Sequence, residues 1–547
     1  MNIGSNIRRI SQLFIVLFLG LSGGLVYWQV YAQGAVTANV HNSRPCQYSN
    51  APLRGNIYDR NGILLAYSTK STDRNACGYV RHYTDPSLAG LIGYYVRNYA
   101  PTGLEAQYNS VLAGTSTQSA LTNTLNSTLH ESPIGNNIYL TIDDRIQKIV
   151  AQDFQYDNEQ IDNNLLFQSN RGSVVVTDPH TGEILALLSE PGFDPNKMVQ
   201  TLTDGDLSYF NQLSKDAGQP LIERPLQALY TPGSTFKTVT LLAALDSGKS
   251  SLNQQWNQQQ AVGTPAGPDG GIIIGGSKVT GNNLGFNDGA QSYTFHFPIT
   301  TEYAYANSDN LVFAQIGVNT GQNTWLNYTQ KMYFDKQVPF DLPVAKSSVK
   351  NANGDPLSQI QFASGAFGQG VDNVTPLQMS LVDNTVANDG VMMQPMLISK
   401  ITNATKQPLQ TNSPKQLSTV VSQNTARQVQ QAMVAVAKCG GGYPITDVRN
   451  TPWGMIGKTG TGEVGGGLPA EGWFITAAPY YTSNPDQMPA LTIVAMKENA
   501  GEGAYAVGPM EAKMYNDIFS AGYIKVTPPA NPDSLTYCVP RGLIQTP

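Results

Sequence analysis

Charge is scarce in this 547-residue chain: only 13% of its residues are Asp, Glu, Lys or Arg, and 33 basic against 39 acidic side chains leave a net −6. With no basic cluster either, the chain has no electrostatic footprint for nucleic acid. Histidine is rarer still, at His41, His82, His130, His180 and His296 alone. Nothing around any of them orients a ring, so a Ser-His-Asp hydrolase is poorly supported. The four cysteines, Cys46, Cys77, Cys439 and Cys538, include no CxxC pair, which argues against a zinc ribbon or a thioredoxin-like centre. No metal or other cofactor is expected, and there is no internal repeat.

What is present begins with an uncharged stretch from Ile10 to Ala32, preceded by Arg8 and Arg9 and containing Tyr27, Trp28 and Tyr31. It is long enough to cross a bilayer core, which needs about 20 residues, and exceeds the roughly 7–15 apolar residues of a cleaved signal peptide. The arginines predict a cytoplasmic N-terminus, the aromatic residues a far interface, and everything past residue 33 an extracytoplasmic position. Hydrophobic residues at 41% suffice for a sizeable core.

Residues 34–137 are polar with strand-like fragments, and Arg60-Asn61-Gly62 reads as a hairpin turn. Ile142, Ile146, Ile149 and Val150 fall at helical spacing, with Thr141 or Asp143 able to cap. "GSVVVTDPHTGEILALLS" (172–189) predicts strand, turn and strand, "WFITAAPY" and "ALTIVAMKE" two more strands, and "GPMEAKMYNDIF" an amphipathic helix. Strands at both ends with helices between imply an α+β fold: one antiparallel sheet flanked by helices, plus a helical subdomain. Residues 253–295, rich in Gln, Gly and Asn, read as a long surface insertion, and 526–547 as a tail.

The chemistry starts at "YTPGSTFKTVT", residues 230–240. Pro232 and Gly233 favour a helix beginning at Ser234, and positions i and i+3 share a helix face, so Ser234 and Lys237 can touch. A lysine near a positive helix end among apolar groups has its ammonium disfavoured and can take the serine proton. S-x-x-K alone is a weak signal. Ser308-Asp309-Asn310 and Lys458-Thr459-Gly460-Thr461 follow in the order expected of penicillin-recognising serine enzymes. Rival readings fail. A P-loop would need glycine where Pro452 stands, and Gly460, Gly462 and Gly465, which spell GxGxxG, are followed by no helix. The one G-x-S-x-G match, Gly20 to Gly24, lies in the apolar run.

Taken with "RGNIYDRNGILLA", "LTIDDRIQ" and "FGQGVDNVTPLQMSLVDNTVANDGV", these motifs resemble the class B penicillin-binding proteins, the membrane-anchored D,D-transpeptidases of peptidoglycan synthesis. The resemblance is strongest to the small penicillin-binding-protein-A-like members, with cell-division transpeptidases near. It implies an anchor at 1–33, a mostly β N-terminal pedestal at 34–137, a penicillin-binding, β-lactamase-like transpeptidase domain at 138–525, and the tail. It implies peptidoglycan stem peptides and β-lactam antibiotics as ligands. Ser234 would be the nucleophile, Lys237 its base, Ser308 the proton relay to the leaving amine, and Asn310 a support for Lys237 and the substrate amide. Lys458 and the hydroxyls of Thr459 and Thr461 would bind the terminal carboxylate, with Gly460 between them, and the backbone N–H groups of Ser234 and Thr461 would form the oxyanion hole. Glu471 stands where the resemblance leads one to expect a small residue or His.

A class A β-lactamase needs a glutamate to activate the deacylating water, and none occurs from Leu311 to Gly457. A D,D-carboxypeptidase, or a non-catalytic β-lactam-binding scaffold or sensor, remain alternatives. Between 34 and 137 only Glu105 and Glu131 are available, too few residues and too short a segment for a glycosyltransferase domain, so a polytopic polymerase of the SEDS family is the expected partner. In an oxidising compartment the four cysteines can pair in three ways. Cys46–Cys77 and Cys439–Cys538 is the expected pairing, with four free thiols as the alternative.

Overall fold

The computed structural model describes residues 53–526 apart from 74, 117–133, 157–168, 265–269, 282–296, 443 and 482–486, together with scattered residues between 12 and 27. Along the chain come β1 (Ile57–Tyr58), β2 (Leu64–Lys70), β3 (Tyr79–Tyr83), β4 (Asn137–Leu140), α1 (Asp144–Asp153), β5 (Gly172–Thr177), β6 (Ile184–Glu190) and α2 (Pro195–Thr203). Then follow α3 (Lys237–Asp246), the hairpin β7 (Gly271–Ile274) and β8 (Ser277–Thr280), α4 (Asn310–Thr320) and α5 (Pro376–Ala387). The last elements used below are β9 (Ile398–Thr402), β10 (Pro408–Thr411), α6 (Gln423–Cys439), β11 (Ile456–Gly462), β12 (Glu471–Ala478), β13 (Leu491–Lys497) and α7 (Gly508–Ser520).

Five strands form the central antiparallel sheet in the order β11-β12-β13-β5-β6. Its strands are apolar on both faces because helices cover both. Trp473, Ile475, Val494 and Met496 join one core with α3, α4 and α6. Phe474, Ile493, Ala495, Val174 and Val176 join another with Met510, Met514 and Ile518 of α7. Alternate residues of one strand thus enter two different cores, each fully buried large side chain contributing about 1.5–3 kcal/mol. The α7 segment is amphipathic, as expected: Met510, Met514, Tyr515 and Ile518 are buried, while Lys513, Asn516, Asp517 and Ser520, at helical spacing on one face, are half-buried or exposed. Asp143 caps α1 by accepting from the Arg145 N–H, and the β1–β2 turn is closed by the Asp59 carboxylate, which accepts from the Asn61 and Ile63 N–H groups at 2.8 and 2.7 Å.

The pedestal sheet runs β10-β9-β4-β1-β2-β3. The sheet of the N-terminal segment thus continues into β4, which begins at residue 137, and takes β9 and β10 from more than 250 residues downstream. The edge of β4 pairs with β9, Ile138 opposite Ile401, a long-range partnership that local periodicity does not encode. The 253–295 segment corrects an expectation. Among its described residues, Trp256, Ala261, Val262, Ile274 and Val279 are buried in the main core, so it is not a surface appendage. Its apolar residues were outnumbered in composition by Gln and Gly, but they are the ones that pack.

Among the described residues no helix is long and apolar enough to cross a membrane. Most of Ile10–Ala32 lies outside them. The residues described between Gln12 and Gly24 are helical, and Leu13, Phe14, Val16, Leu17, Phe18 and Leu21 are exposed. The tail at 527–547, Cys46 and Cys538, and His41, His130 and His296 also lie outside the described residues.

Candidate active site

The nucleophile turn differs in detail from the expectation. Gly233–Phe236 is a 3-10 turn, and the α-helix begins only at Lys237. Gly233 has φ +54, a conformation that costs residues with a Cβ energy. Its N–H donates to the Gly368 carbonyl at 3.0 Å. Phe236 anchors the turn against Trp325 and Phe334, ring centroids 5.8 and 5.2 Å away. Ser234 is left half-buried at the surface of the cleft while Lys237 is 0% exposed.

Four oxygens surround the Lys237 Nζ: Ser234 Oγ at 2.6 Å, Asn310 Oδ1 at 2.6 Å, the Ser308 carbonyl at 3.0 Å and Ser308 Oγ at 3.2 Å. A neutral amine has two N–H donors and one lone pair. The amide oxygen and the carbonyl can only accept, so they take the two N–H groups and leave the lone pair to the serine hydroxyl. Burial, reinforced by the charge of Lys458 and opposed by Asp309, holds the Lys237 ammonium well below the ordinary lysine range. Neutral lysine is the form a base requires.

Ser308 and Asn310 are brought to Lys237 by the start of α4. Asp309 caps that helix through the Val312 N–H at 3.0 Å, and burial pushes its carboxyl up to about 7. Ser308 has φ +61, outside the regions a non-glycine residue prefers, at an ordinary cost of about 1–3 kcal/mol. That geometry lets both its carbonyl and its hydroxyl face the lysines, since Lys458 Nζ donates to the same Oγ at 2.9 Å. Ser308 Oγ therefore bridges the two lysines. Burial brings Lys458 down to about 7.

β11 carries Lys458, Thr459, Gly460 and Thr461 as the edge strand of the central sheet. Two of the glycines that spelled GxGxxG, Gly460 and Gly462, have a steric role here. A Cβ at Gly460 would come within 2.8 Å of Thr235 Cγ2, one at Gly462 would strike the Thr231 carbonyl, and one at Gly233 the Thr461 carbonyl. The strand thus lies directly against the nucleophile turn, and Ser234 and Thr461 border the same cleft. The α6 end lies beside it: a Cβ at Gly441 would be 3.2 Å from Thr459 Oγ1. Cys439 closes α6, and it and Cys77 are each disulfide-bonded, which removes the alternative of four free thiols. Among the described residues, no histidine is hydrogen-bonded to Ser234 or Lys237. His180 is held by Asn388 and the Pro489 carbonyl at 3.0 and 2.8 Å.

Several groups at the site were not singled out from the sequence. Gln369 Nε2 donates to the Thr461 carbonyl at 3.1 Å, and Gly368 packs against Gly233 so closely that a Cβ would collide with its carbonyl. Both belong to the "FGQG" segment, whose paired glycines were the available signal. Glu498, one residue past β13, accepts from Arg171 Nε, Arg224 Nε and the Tyr230 hydroxyl, each at 2.7 Å. Burial raises its carboxyl, but Tyr230 and the two arginines outweigh that and hold it below the usual glutamate range. Tyr230 in turn stacks edge-on against Trp473, whose indole N–H donates to the Thr231 carbonyl at 3.0 Å. The chain entering Ser234 is thereby pinned at two successive residues. Glu471 begins β12 opposite Gly462, accepts from the Asn499 N–H at 3.1 Å, and is pushed up to about 7 by burial. Glu471 was marked in the sequence as a departure from the resemblance, but nothing there marked Glu498 or its arginine partners, which lie up to 327 residues apart.

Comparison with known proteins matches residues 172–519 to the penicillin binding protein transpeptidase domain and 54–138 to the penicillin binding protein A dimerisation domain. The chain is 29% identical over 511 residues to the peptidoglycan D,D-transpeptidase PbpA of Mycolicibacterium smegmatis, covering 92% of this chain and 96% of that one. The Mycobacterium tuberculosis PbpA is 27% identical over 512 residues, covering 92% and 96%. The solved penicillin G acyl-enzyme of penicillin-binding protein A from M. tuberculosis superposes with a TM-score of 0.73 at 26% identity, over 86% of this chain and all of that one. The imipenem acyl-enzyme of the same protein gives 0.71 at 27%, over 86% and 99%. With the transpeptidase domain spanning well over half its length behind a dimerisation domain, this chain belongs to the penicillin-binding protein transpeptidase family and is a class B member.

Proposed function

We propose that this chain is a serine D,D-transpeptidase that cross-links peptidoglycan stem peptides through an acyl-enzyme on Ser234. The observation that carries the reading is Lys237 Nζ, buried and 2.6 Å from Ser234 Oγ, with its N–H directions taken by Asn310 and Ser308. Ser234 Oγ attacks the penultimate D-Ala carbonyl as Lys237 takes its proton. Ser308, bridging both lysines, passes a proton to the departing D-Ala amine. The Ser234 and Thr461 N–H groups stabilise the oxyanion. Lys458 and the Thr459 and Thr461 hydroxyls hold the terminal carboxylate, and an acceptor amine then resolves the ester. A β-lactam acylates the same oxygen.

The exposed apolar residues between Leu13 and Leu21 and the preceding arginines support a single membrane anchor with an extracytoplasmic catalytic unit. The pedestal, lacking polymerase residues, points to a SEDS-family glycan polymerase as partner. Cys77 and Cys439 pair with Cys46 and Cys538 in this reading.

The test is labelling of the full-length protein with fluorescent penicillin, beside a cross-linking assay on nascent glycan made by a separate polymerase. Cross-linked dimers are expected, and Ser234→Ala should lose all labelling while keeping its circular dichroism. Labelling retained by a folded Ser234→Ala protein would sink the assignment. D-Ala release without cross-links would make the enzyme a carboxypeptidase.

A further inference from the structure

Outside the Ser234–Lys237 cluster, the pedestal buries an unbalanced charge. Arg54 and Arg81 are 5% and 3% exposed, and both pair with one carboxylate, that of the fully buried Glu105, at 2.5 and 2.7 Å. Their other partners are neutral. Arg54 donates to Asn109 Oδ1 and the Glu105 carbonyl, each at 2.7 Å. Arg81 Nη1 donates to the Gly55 carbonyl at 2.9 Å and to Ser68 Oγ at 3.3 Å. Two guanidinium groups against one carboxylate leave a positive charge over, and a buried charge without a counter-charge is costly. Arg81 Nη2 is also buried with no hydrogen-bond partner among the described residues.

Beside these groups is a cavity of about 40 Å³, bordered by Arg54, Arg81, Arg97, Ser68 and Tyr95 of the pedestal and by Val199 of α2. A single water needs only about 10–15 Å³ on the same measure, so the space admits a small polyatomic ion. The stretch 34–52, which leads directly into Leu53 and Arg54, contains Arg44 and no Asp or Glu, so it brings no carboxylate of its own.

We propose that this pocket is an oxyanion site, taking one compact carboxylate or phosphate group against the unpartnered Nη2 of Arg81, with Arg97 in the same wall. The planar fork of arginine matches both chemistries. The ion would lie at the junction of the pedestal with α2, where Asn196 already exchanges hydrogen bonds with the Tyr83 N–H and carbonyl at 2.9 and 2.8 Å. Its occupancy stiffens that junction.

The experiment follows the melting temperature of full-length protein in detergent, titrated with sodium phosphate, sodium acetate or sodium chloride at matched ionic strength. Phosphate, acetate or both should raise it saturably where chloride does not, the effective salt identifying the group bound. Arg97→Gln lies outside the Arg54–Glu105–Arg81 cluster and should weaken that binding at least ten-fold, with penicillin labelling of Ser234 unchanged. Arg81→Gln should abolish it, and if that protein does not fold, Arg97→Gln decides alone. Equal responses to the three salts, or unaltered affinity in folded Arg97→Gln, overturn the proposal.

Discussion

Replacing Lys458 by methionine should stabilise the fold at neutral pH while destroying acylation. Lys458 is 0% exposed, and burial brings its ammonium from 10.5 down to about 7. At about 1.4 kcal/mol per pH unit, the charged form is disfavoured in the folded protein by roughly 5 kcal/mol. Because the folded value lies below the unfolded one, the unfolded chain binds the extra proton between them, and wild-type stability rises with pH from about 7 to about 10.5. Methionine has no such dependence. Its advantage is therefore full below pH 7 and gone near pH 10.5.

The substitution also removes hydrogen bonds to Ser308 Oγ and the Thr459 carbonyl, at 2.9 and 3.0 Å, about 1 kcal/mol each. That leaves a net gain of about 3 kcal/mol near neutral pH. Unfolding entropy of about 2.1 cal/mol/K per residue over a transpeptidase unit of about 350 residues converts this to roughly 4 °C. The assay is melting temperature from pH 6 to 10 for both proteins, beside fluorescent-penicillin labelling. Lys237 loses a repelling neighbour in the variant, so its ammonium should recover toward the ordinary range. A variant melting below wild type at pH 6.5, or a difference equal at pH 6.5 and pH 10, would refute the reasoning.

Gly368→Ala should slow penicillin acylation by about 100-fold or more, because its Cβ would collide with the Gly233 carbonyl and displace the nucleophile turn; stopped-flow acylation within ten-fold of wild type would contradict this. Tyr230→Phe removes one hydrogen bond to the Glu498 carboxylate, worth about 1.5–3 kcal/mol. It should lower the acylation rate constant more than the non-covalent affinity, and an unchanged rate constant would remove Tyr230 as a positioning residue. Non-reducing peptide mapping should recover Cys77 joined to Cys46 and Cys439 to Cys538; a Cys77–Cys439 peptide would show the pairing to be wrong.

Much of the local chemistry was legible in the sequence by itself. The three motifs in order were legible through the family resemblance, whereas the Ser234–Lys237 spacing, the Asp143 cap and the β5–β6 pair rest on interactions within a few residues, where helical and strand periodicities operate. Even there the backbone differed in detail, since Ser234 sits in a 3-10 turn rather than in the helix that follows. What only the tertiary structure decided is how those motifs meet. Asn310 and Ser308 reach Lys237 across more than 70 positions, and Gly460 and Gly462 matter because a strand must lie against the nucleophile turn. Strands β9 and β10 complete a pedestal sheet begun some 340 residues earlier, Trp256 is buried within a segment that looks polar, and Glu498 gathers Arg171, Arg224 and Tyr230. Such contacts depend on which surfaces close against one another when water is expelled. That is settled by packing of the whole core, and no local pattern of residue types records it.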